Sequence, residues 1–386
     1  MTRVAIIGVG HSRFGRRTDV NVGELAFESI REAVEDAGVD KNDIKNVVVG
    51  TMGSWYEESL PAVVVNEYAG LSGAGTMRVE AACASGSAAL KAAYNSIMSG
   101  ETEVALAVGV EKMTEVDSAT SVELIGRAGS YMWEFENFGM TFPAYYALYA
   151  VSHMNRYGTT EEDLARVSVK AHRYGAMNPL AQFQKEITIE KALGSPVIAW
   201  PLKLYDACPL TDGSAAVVLA SEEVAKRLTD TPIWIKGVGY SSDTANLSRR
   251  SDYVGLEAAV QAANRAYSMA KVSPGDIDVA TAHDCFTIAE LMAYEDLGFC
   301  RKGEGAKLVR EGQTEIGGRI PVNVDGGLKA KGHPVGATGV SMAVEITKQL
   351  RGEAGKRQVP LKNGLGLMHN VGGTGHYAYV TILSRS

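Results

Sequence analysis

Val79-Glu-Ala-Ala-Cys-Ala-Ser-Gly-Ser-Ala-Ala-Leu90 is the stretch whose reading decides the fold. Small residues crowd around Cys83, and the run Ala88, Ala89, Leu90, Lys91, Ala92 and Ala93 is a strong helix former, so the thiol falls at a helix N-terminus. Unpaired amides and the positive helix end favour a thiolate there. A free cysteine is ordinarily a buried, inert small hydrophobe, so a nucleophile at this point needs support from the rest of the chain.

Upstream, Val4 to Val9 reads as a strand, Gly23 to Ala37 as an amphipathic helix stopped by Gly38, and Ile44 to Val49 as a second strand. Gly8-Val9-Gly10 lacks the third glycine of a dinucleotide fingerprint, because position 13 is Arg13. Pro61 to Tyr68 reads as a helix, Met77 to Ala82 as a strand, Cys83 to Met98 as the central helix and Val104 to Val110 as a buried strand.

The second half repeats this order. Ile233-Trp-Ile-Lys-Gly-Val-Gly239 echoes Val4-Ala-Ile-Ile-Gly-Val-Gly10, a helix near Gly255 echoes the one at Gly23, and Asp276-Ile277 echoes Asp43-Ile44. Val279 to Ala282 is the matching strand, and Gly332-His-Pro-Val-Gly-Ala-Thr-Gly339 opens the counterpart of the Cys83 helix. The offset drifts slowly, from 229 residues at Val4 to 250 at Cys83, which points to a duplicated β-α-β unit in an α/β protein. As pseudo-twofold mates, Cys83 and His333 stand at corresponding helix starts and face each other.

Residues 114–205 interrupt the first half before its last strand, Ser214 to Ala220. The insert carries an aromatic helix, Ala144 to Met154, whose tyrosine stripe reads as packing. Thr160-Glu-Glu-Asp163 reads as a variant capping box opening another helix. Inserts of this length usually shape a binding site or an interface.

The chain of 386 residues can bury a large core, and 46% hydrophobic with 22% charged residues fits a globular enzyme. Its net charge of −7 gives no general attraction to nucleic acid or to anionic membranes. Cys83, Cys208, Cys285 and Cys300 are widely spaced, against both a zinc site and a disulfide framework. The N-terminus runs straight into a strand, and no apolar run reaches about 18 residues, so a cytoplasmic enzyme is expected.

Three further segments carry chemistry. His333, between Gly332 and Pro334 in a turn before a helix, can exchange a proton near neutral pH. His283-Asp-Cys-Phe286 directly follows a strand, and C-terminal strand ends carry ligands in parallel α/β sheets. Met368-His-Asn-Val-Gly-Gly-Thr-Gly375 is a glycine-rich turn between two strands whose amides can approach a ligand closely.

These four segments, in this order and spacing, resemble the thiolase superfamily. The resemblance covers nearly the whole chain. Many thiolases carry Asn-Glu-Ala-Phe at the third segment and a second catalytic cysteine before the last glycines. Here those places read His283-Asp-Cys-Phe286 and Asn370-Val-Gly-Gly373, which is similar to the archaeal acetoacetyl-CoA and sterol-carrier-protein-type branch, as is Asn178-Pro-Leu-Ala-Gln-Phe183.

The resemblance implies a five-layer α-β-α-β-α fold of duplicated β-α-β-α-β halves, residues 1–230 and 231–386. It implies coenzyme A thioesters as substrates, no resident cofactor and no metal. His333 is expected to take the Cys83 proton, the thiolate to attack an acyl-CoA, and Cys285 to remove the α-proton of acetyl-CoA. His283 and His333 would polarise the second thioester, and the amides of Cys83 and Gly372 would hold the oxyanion. Lys170, Arg173, Lys329 and Lys331 are candidates for the CoA phosphates.

The main reading is acetyl-CoA C-acetyltransferase. A decarboxylating ketoacyl synthase, a partner-dependent acyltransferase or retro-aldolase, and a non-catalytic acyl-CoA-binding scaffold subunit are the alternatives. A homodimer or dimer of dimers is implied, with Val104 to Val110 expected as an edge strand across the twofold. Relatives in this branch also suggest association with a small OB-fold, zinc-ribbon protein, and with 3-hydroxy-3-methylglutaryl-CoA synthase to drain the product.

Overall fold

The computed structural model describes residues 3–386. Met1 and Thr2, read as leading straight into the first strand, lie outside the described residues. The first half runs β1 (Val4–His11), α1 (Val22–Ala37), β2 (Asn46–Gly50), α2 (Pro61–Tyr68), β3 (Gly75–Val79), α3 (Ser85–Met98) and β4 (Val104–Lys112). The insert carries α4 (Ser118–Gly126), α5 (Phe142–Tyr157) and α6 (Glu161–Ala176) before β5 (Asp212–Ser221). The second half runs β6 (Ile233–Ser242), α7 (Glu257–Ala270), β7 (Val279–Thr281), α8 (Thr287–Asp296), α9 (Thr338–Arg351), β8 (Leu365–Gly372) and β9 (Tyr377–Ser384).

Local chemistry accounts for the boundaries. Asn21 accepts the Glu24 amide at 2.9 Å while the Glu24 carboxylate accepts the Asn21 amide at 2.8 Å, a capping box that starts α1; Gly38 ends it in the left-handed region. Thr160 and Asp163 form the expected capping box of α6. Every residue of β4 is buried, which explains its unbroken apolar run.

The strands lie in the order β3-β2-β4-β5-β1-β6-β9-β8-β7, and Val322 adds a parallel bridge beyond β7 at Ala280. Counting outward from the centre, each half places its first, fifth, fourth, second and third strand segments in turn, so the duplication is visible in the topology. Only Ala5 and Ile6 pair with Trp234 and Ile233 where the halves join. Helix α9 packs on α3 and on strands of both halves, α1 and α2 cover one outer face, and α7 covers the other. The result is the five-layer thiolase-like α/β fold.

One expectation is corrected. β4 lies between β2 and β5, so it cannot offer an edge. The free edge of the first half is β3, five residues long and largely exposed. β4 is buried throughout and paired on both edges, so its sequence resembles that of any buried strand.

The two central helices approach through glycine. A Cβ on Gly339 of α9 would stand 2.2 Å from the Ser87 amide of α3, and one on Gly86 would stand 2.7 Å from the Gly336 carbonyl. This contact between backbones brings the starts of α3 and α9, and therefore Cys83 and His333, to one point.

Candidate active site

Cys83 sits in the turn between β3 and α3. Ala82, just before it, has φ of 49°, a left-handed conformation costly for alanine. Ser85 holds the turn: its Oγ accepts the Ala81 amide at 2.9 Å and donates to the Ala82 carbonyl at 2.6 Å. Cys83 Sγ and one ring nitrogen each of His283 and His333 lie within 4.8 Å of one another, all three residues buried. The two imidazoles stand edge to face with centroids 5.0 Å apart.

Hydrogen bonds settle which nitrogen of each ring carries the proton. The Thr338 hydroxyl donates its one proton to the Pro334 carbonyl at 3.0 Å, so it accepts from His333 Nδ1 at 2.7 Å. His333 Nε2 is therefore left with a lone pair, buried and without a partner among the described residues. The Asn370 amide donates to the Cys83 carbonyl at 3.0 Å, which fixes its orientation, and sends its second proton to His283 Nδ1 at 3.1 Å. His283 thus carries its proton on Nε2. One ring is an acceptor and the other a donor.

Electrostatics correct the expected thiolate. Burial pushes the Cys83 thiol up to about 12, aided by the nearby Cys208 thiol, against hydrogen bonds from the Gly373 amide and its own. Burial also pulls His333 down to about 3. The resting pair is a neutral thiol beside a neutral imidazole, because desolvation outweighs the helix end. Alkylation of Cys83 by iodoacetamide, followed by peptide mass, should therefore accelerate about tenfold per pH unit from roughly pH 7 to 10, as the thiolate fraction grows below its pKa. A plateau by about pH 8 would contradict this ordering.

His283 is pulled down by burial and by the neighbouring His333, so it too is neutral. Cys285, two residues before α8, is buried and its thiol is raised by burial and by the Cys208 and Cys83 thiols around it. Tyr146 of the insert stacks on Phe286 with centroids 4.6 Å apart and brings its hydroxyl beside Cys285. That hydroxyl is buried and has no hydrogen-bond partner among the described residues. The tyrosine stripe, read as packing, thus contributes one side chain to the site. Gly372 closes β8 with its Cα against the Ala81 carbonyl, and the amide that reaches the Cys83 sulfur is that of the next residue, Gly373.

Of the four candidate cations, three are held in ion pairs, and the buried Lys329 donates to the Ala207 carbonyl at 2.7 Å. Lys170 is buried on Glu290 and also donates to the Tyr294 hydroxyl at 2.8 Å and the Val322 carbonyl at 3.0 Å. Lys331 is buried against Asp325, and Arg173 pairs with Glu315 at 2.6 Å. Their positions near motifs reflect structural ion pairing. Lys329 lines a cavity of about 410 Å³ together with Lys185, Lys191, Phe183, Tyr205 and Cys208. The Cys208 amide donates to the Cys285 carbonyl at 2.9 Å, so the inner wall of this cavity adjoins the thiol site.

Cys83, His283 and His333 are also residue types that ligate metals. With Asn370 holding the His283 proton on Nε2, the set presents an N–H where a metal needs a lone pair, an arrangement suited to a developing oxyanion. Asn370, Thr338 and Tyr146 were not singled out from the sequence. The available signal for Asn370 was its position, the place where many thiolases carry a cysteine.

Comparison with known proteins agrees with this geometry. Residues 4–223 match the family described as thiolase, N-terminal domain, and residues 239–385 the family described as thiolase C-terminal domain-like. The chain is 45% identical over 387 residues to an acetyl-CoA acetyltransferase of Methanothermobacter thermautotrophicus, covering all of both chains. It is 43% identical over 392 residues to an acetyl-CoA acetyltransferase of Methanocaldococcus jannaschii, covering all of this chain and 99% of that one. The solved Ltp2-ChsH2(DUF35) aldolase superposes with a TM-score of 0.87 at 27% identity, covering 99% of this chain and 98% of that one. Two matching domains, full-length relatives and a paired cysteine and histidine at the twin helix starts place this chain in the thiolase family.

Proposed function

We propose that the protein is an acetyl-CoA C-acetyltransferase, joining two acetyl-CoA into acetoacetyl-CoA or cleaving acetoacetyl-CoA with coenzyme A. The observation that carries this reading is the convergence of Cys83 Sγ with the two imidazoles within 4.8 Å. The full-length relatives at 43–45% identity bear the same name.

His333 Nε2 takes the Cys83 proton as the sulfur adds to the thioester carbonyl, because neither group is charged beforehand. The amides of Cys83 and the Gly372–Gly373 turn receive the oxyanion, and coenzyme A leaves with the proton from His333. A second acetyl-CoA then places its carbonyl on His283 Nε2–H; the freed His333 takes up the Cys285 proton, the Cys285 thiolate removes the α-proton, and the enolate carbon displaces Cys83, which leaves the acyl group with the proton from His333. No resident cofactor takes part, and coenzyme A thioesters are the substrates. The cavity edged by Lys185, Lys191 and Lys329 suits the pantetheine arm and phosphates.

Several finer points belong to the same reading. The exposed strand β3 is the segment suited to pairing two subunits. None of the described helices is long and apolar enough to cross a membrane, in keeping with a cytoplasmic role in lipid metabolism. Condensation is uphill, so a mevalonate-type pathway would need a consuming enzyme such as 3-hydroxy-3-methylglutaryl-CoA synthase. The likeness to the Ltp2-ChsH2(DUF35) aldolase supports testing for a small partner protein of the OB-fold, zinc-ribbon kind by co-purification.

The deciding assay incubates the purified protein with acetoacetyl-CoA and coenzyme A, and separately with malonyl-CoA. The reading expects two acetyl-CoA from the first and no CO2 from the second. Release of CO2 faster than acetyl-CoA formation would assign a decarboxylating synthase instead.

A further inference from the structure

Cys83 belongs to a buried apolar cluster separate from the main core, together with Trp55, Met113, Leu124 and Val335. Each arrives from a different element. Trp55 follows β2 and is locked by its indole N–H, which donates to the buried Ser121 hydroxyl of α4 at 2.8 Å. Met113 directly follows β4, Leu124 lies on α4, and Val335 is two residues beyond His333.

In a Cys83 acyl-enzyme, three directions around the acyl carbon are already assigned. The oxyanion points to the amides, coenzyme A departs and arrives through the cavity beside Cys208, and the incoming enolate approaches from Cys285 and His283. The acyl chain is left the direction of Trp55, Met113 and Leu124. Met113, unbranched and adaptable, can yield room for a methyl group. Each further methylene would have to displace buried, interlocked side chains, with Trp55 held in place by Ser121.

We infer that Met113 and Leu124, backed by Trp55, form the wall that limits the acyl group on Cys83 to two carbons. This inference rests on the acetyltransferase reading and names its substrate range. The thiolysis rates of acetoacetyl-CoA, 3-oxohexanoyl-CoA and 3-oxooctanoyl-CoA test it. For the unaltered protein, kcat/KM should fall by about 10–200-fold for each methylene added. Met113→Ala and Leu124→Ala should each raise the six-carbon to four-carbon ratio by about tenfold or more, on the same scale.

Equal rates on all three substrates, or a ratio unmoved in variants whose melting temperature shows them folded, would overturn the wall. A protein that cleaves none of them fails as a thiolase; the wall is then judged by the mass of Cys83 after incubation with acetyl-, butanoyl- and hexanoyl-CoA. Acetylation alone upholds it, and equal labelling by the longer chains overturns it. That measurement needs no variant, so a folding defect in either substitution leaves the inference decidable.

Discussion

Replacing Cys285 by alanine should stop carbon–carbon bond making and breaking while leaving Cys83 able to take up an acetyl group from acetyl-CoA. The expected loss in acetoacetyl-CoA turnover is about 10²–10⁴-fold, the range for removing a positioned acid or base. In the proposed mechanism acylation involves Cys83, His333 and the Cys83 and Gly373 amides, none of which hydrogen-bonds to the Cys285 side chain. Radiolabelled acetyl-CoA should therefore label the variant stoichiometrically at Cys83, whereas Cys83→Ala should lose both labelling and turnover. Condensation by Cys285→Ala within about tenfold of the unaltered protein would place the base elsewhere. Tyr146, whose hydroxyl lies beside this thiol, would be the first residue to examine next.

The second large effect is expected at Asn370→Asp. The asparagine amide donates to His283 Nδ1 and thereby keeps the ring proton on Nε2, where an oxyanion needs it. A carboxylate in its place accepts at Nδ1, draws the proton across the ring and turns Nε2 from a donor into an acceptor. Losing one such donor costs about 10²–10³-fold in kcat. The pH profile separates this from a packing defect. As pH falls, His283 beside the new carboxylate gains a second proton and again presents Nε2–H, so the variant should recover activity on the acid side while the unaltered protein does not. A uniform loss at every pH would reject the proton-placing role of Asn370. The exchange of donor for acceptor also unpairs the Cys83 carbonyl, so the melting temperature must be read alongside.

Much of this architecture follows from local rules that a short window of sequence already obeys. The capping boxes at Asn21 and Thr160, the αL glycine after α1 and the unbroken apolar run of β4 are each satisfied within a few residues, so their positions were legible before any packing was known. The duplication was legible because the same turns recur in the same order, and it placed Cys83 and His333 at twin helix starts. The pairing of His283 with Cys285 after a strand was legible for the same reason, since chemistry gathers at strand ends.

Other properties depend on groups far apart in the chain. The helix start at Cys83 argues for a thiolate, yet the thiol is raised, because desolvation is set by everything packed around it and no local window records that. Lys170 and Lys331 look like phosphate ligands by position, but Glu290 and Asp325 had already claimed them, one from 120 residues away. The roles proposed for Asn370 and Met113 depend on neighbours contributed by other elements. The amino-acid order by itself determined the repeating halves and the twin helix starts of Cys83 and His333; folding in three dimensions decided the charge states there, the ring nitrogen that donates and the carboxylates that hold the cations. The reason is range: capping and periodicity act over a few residues, whereas burial and hydrogen-bond supply are properties of the whole packed molecule.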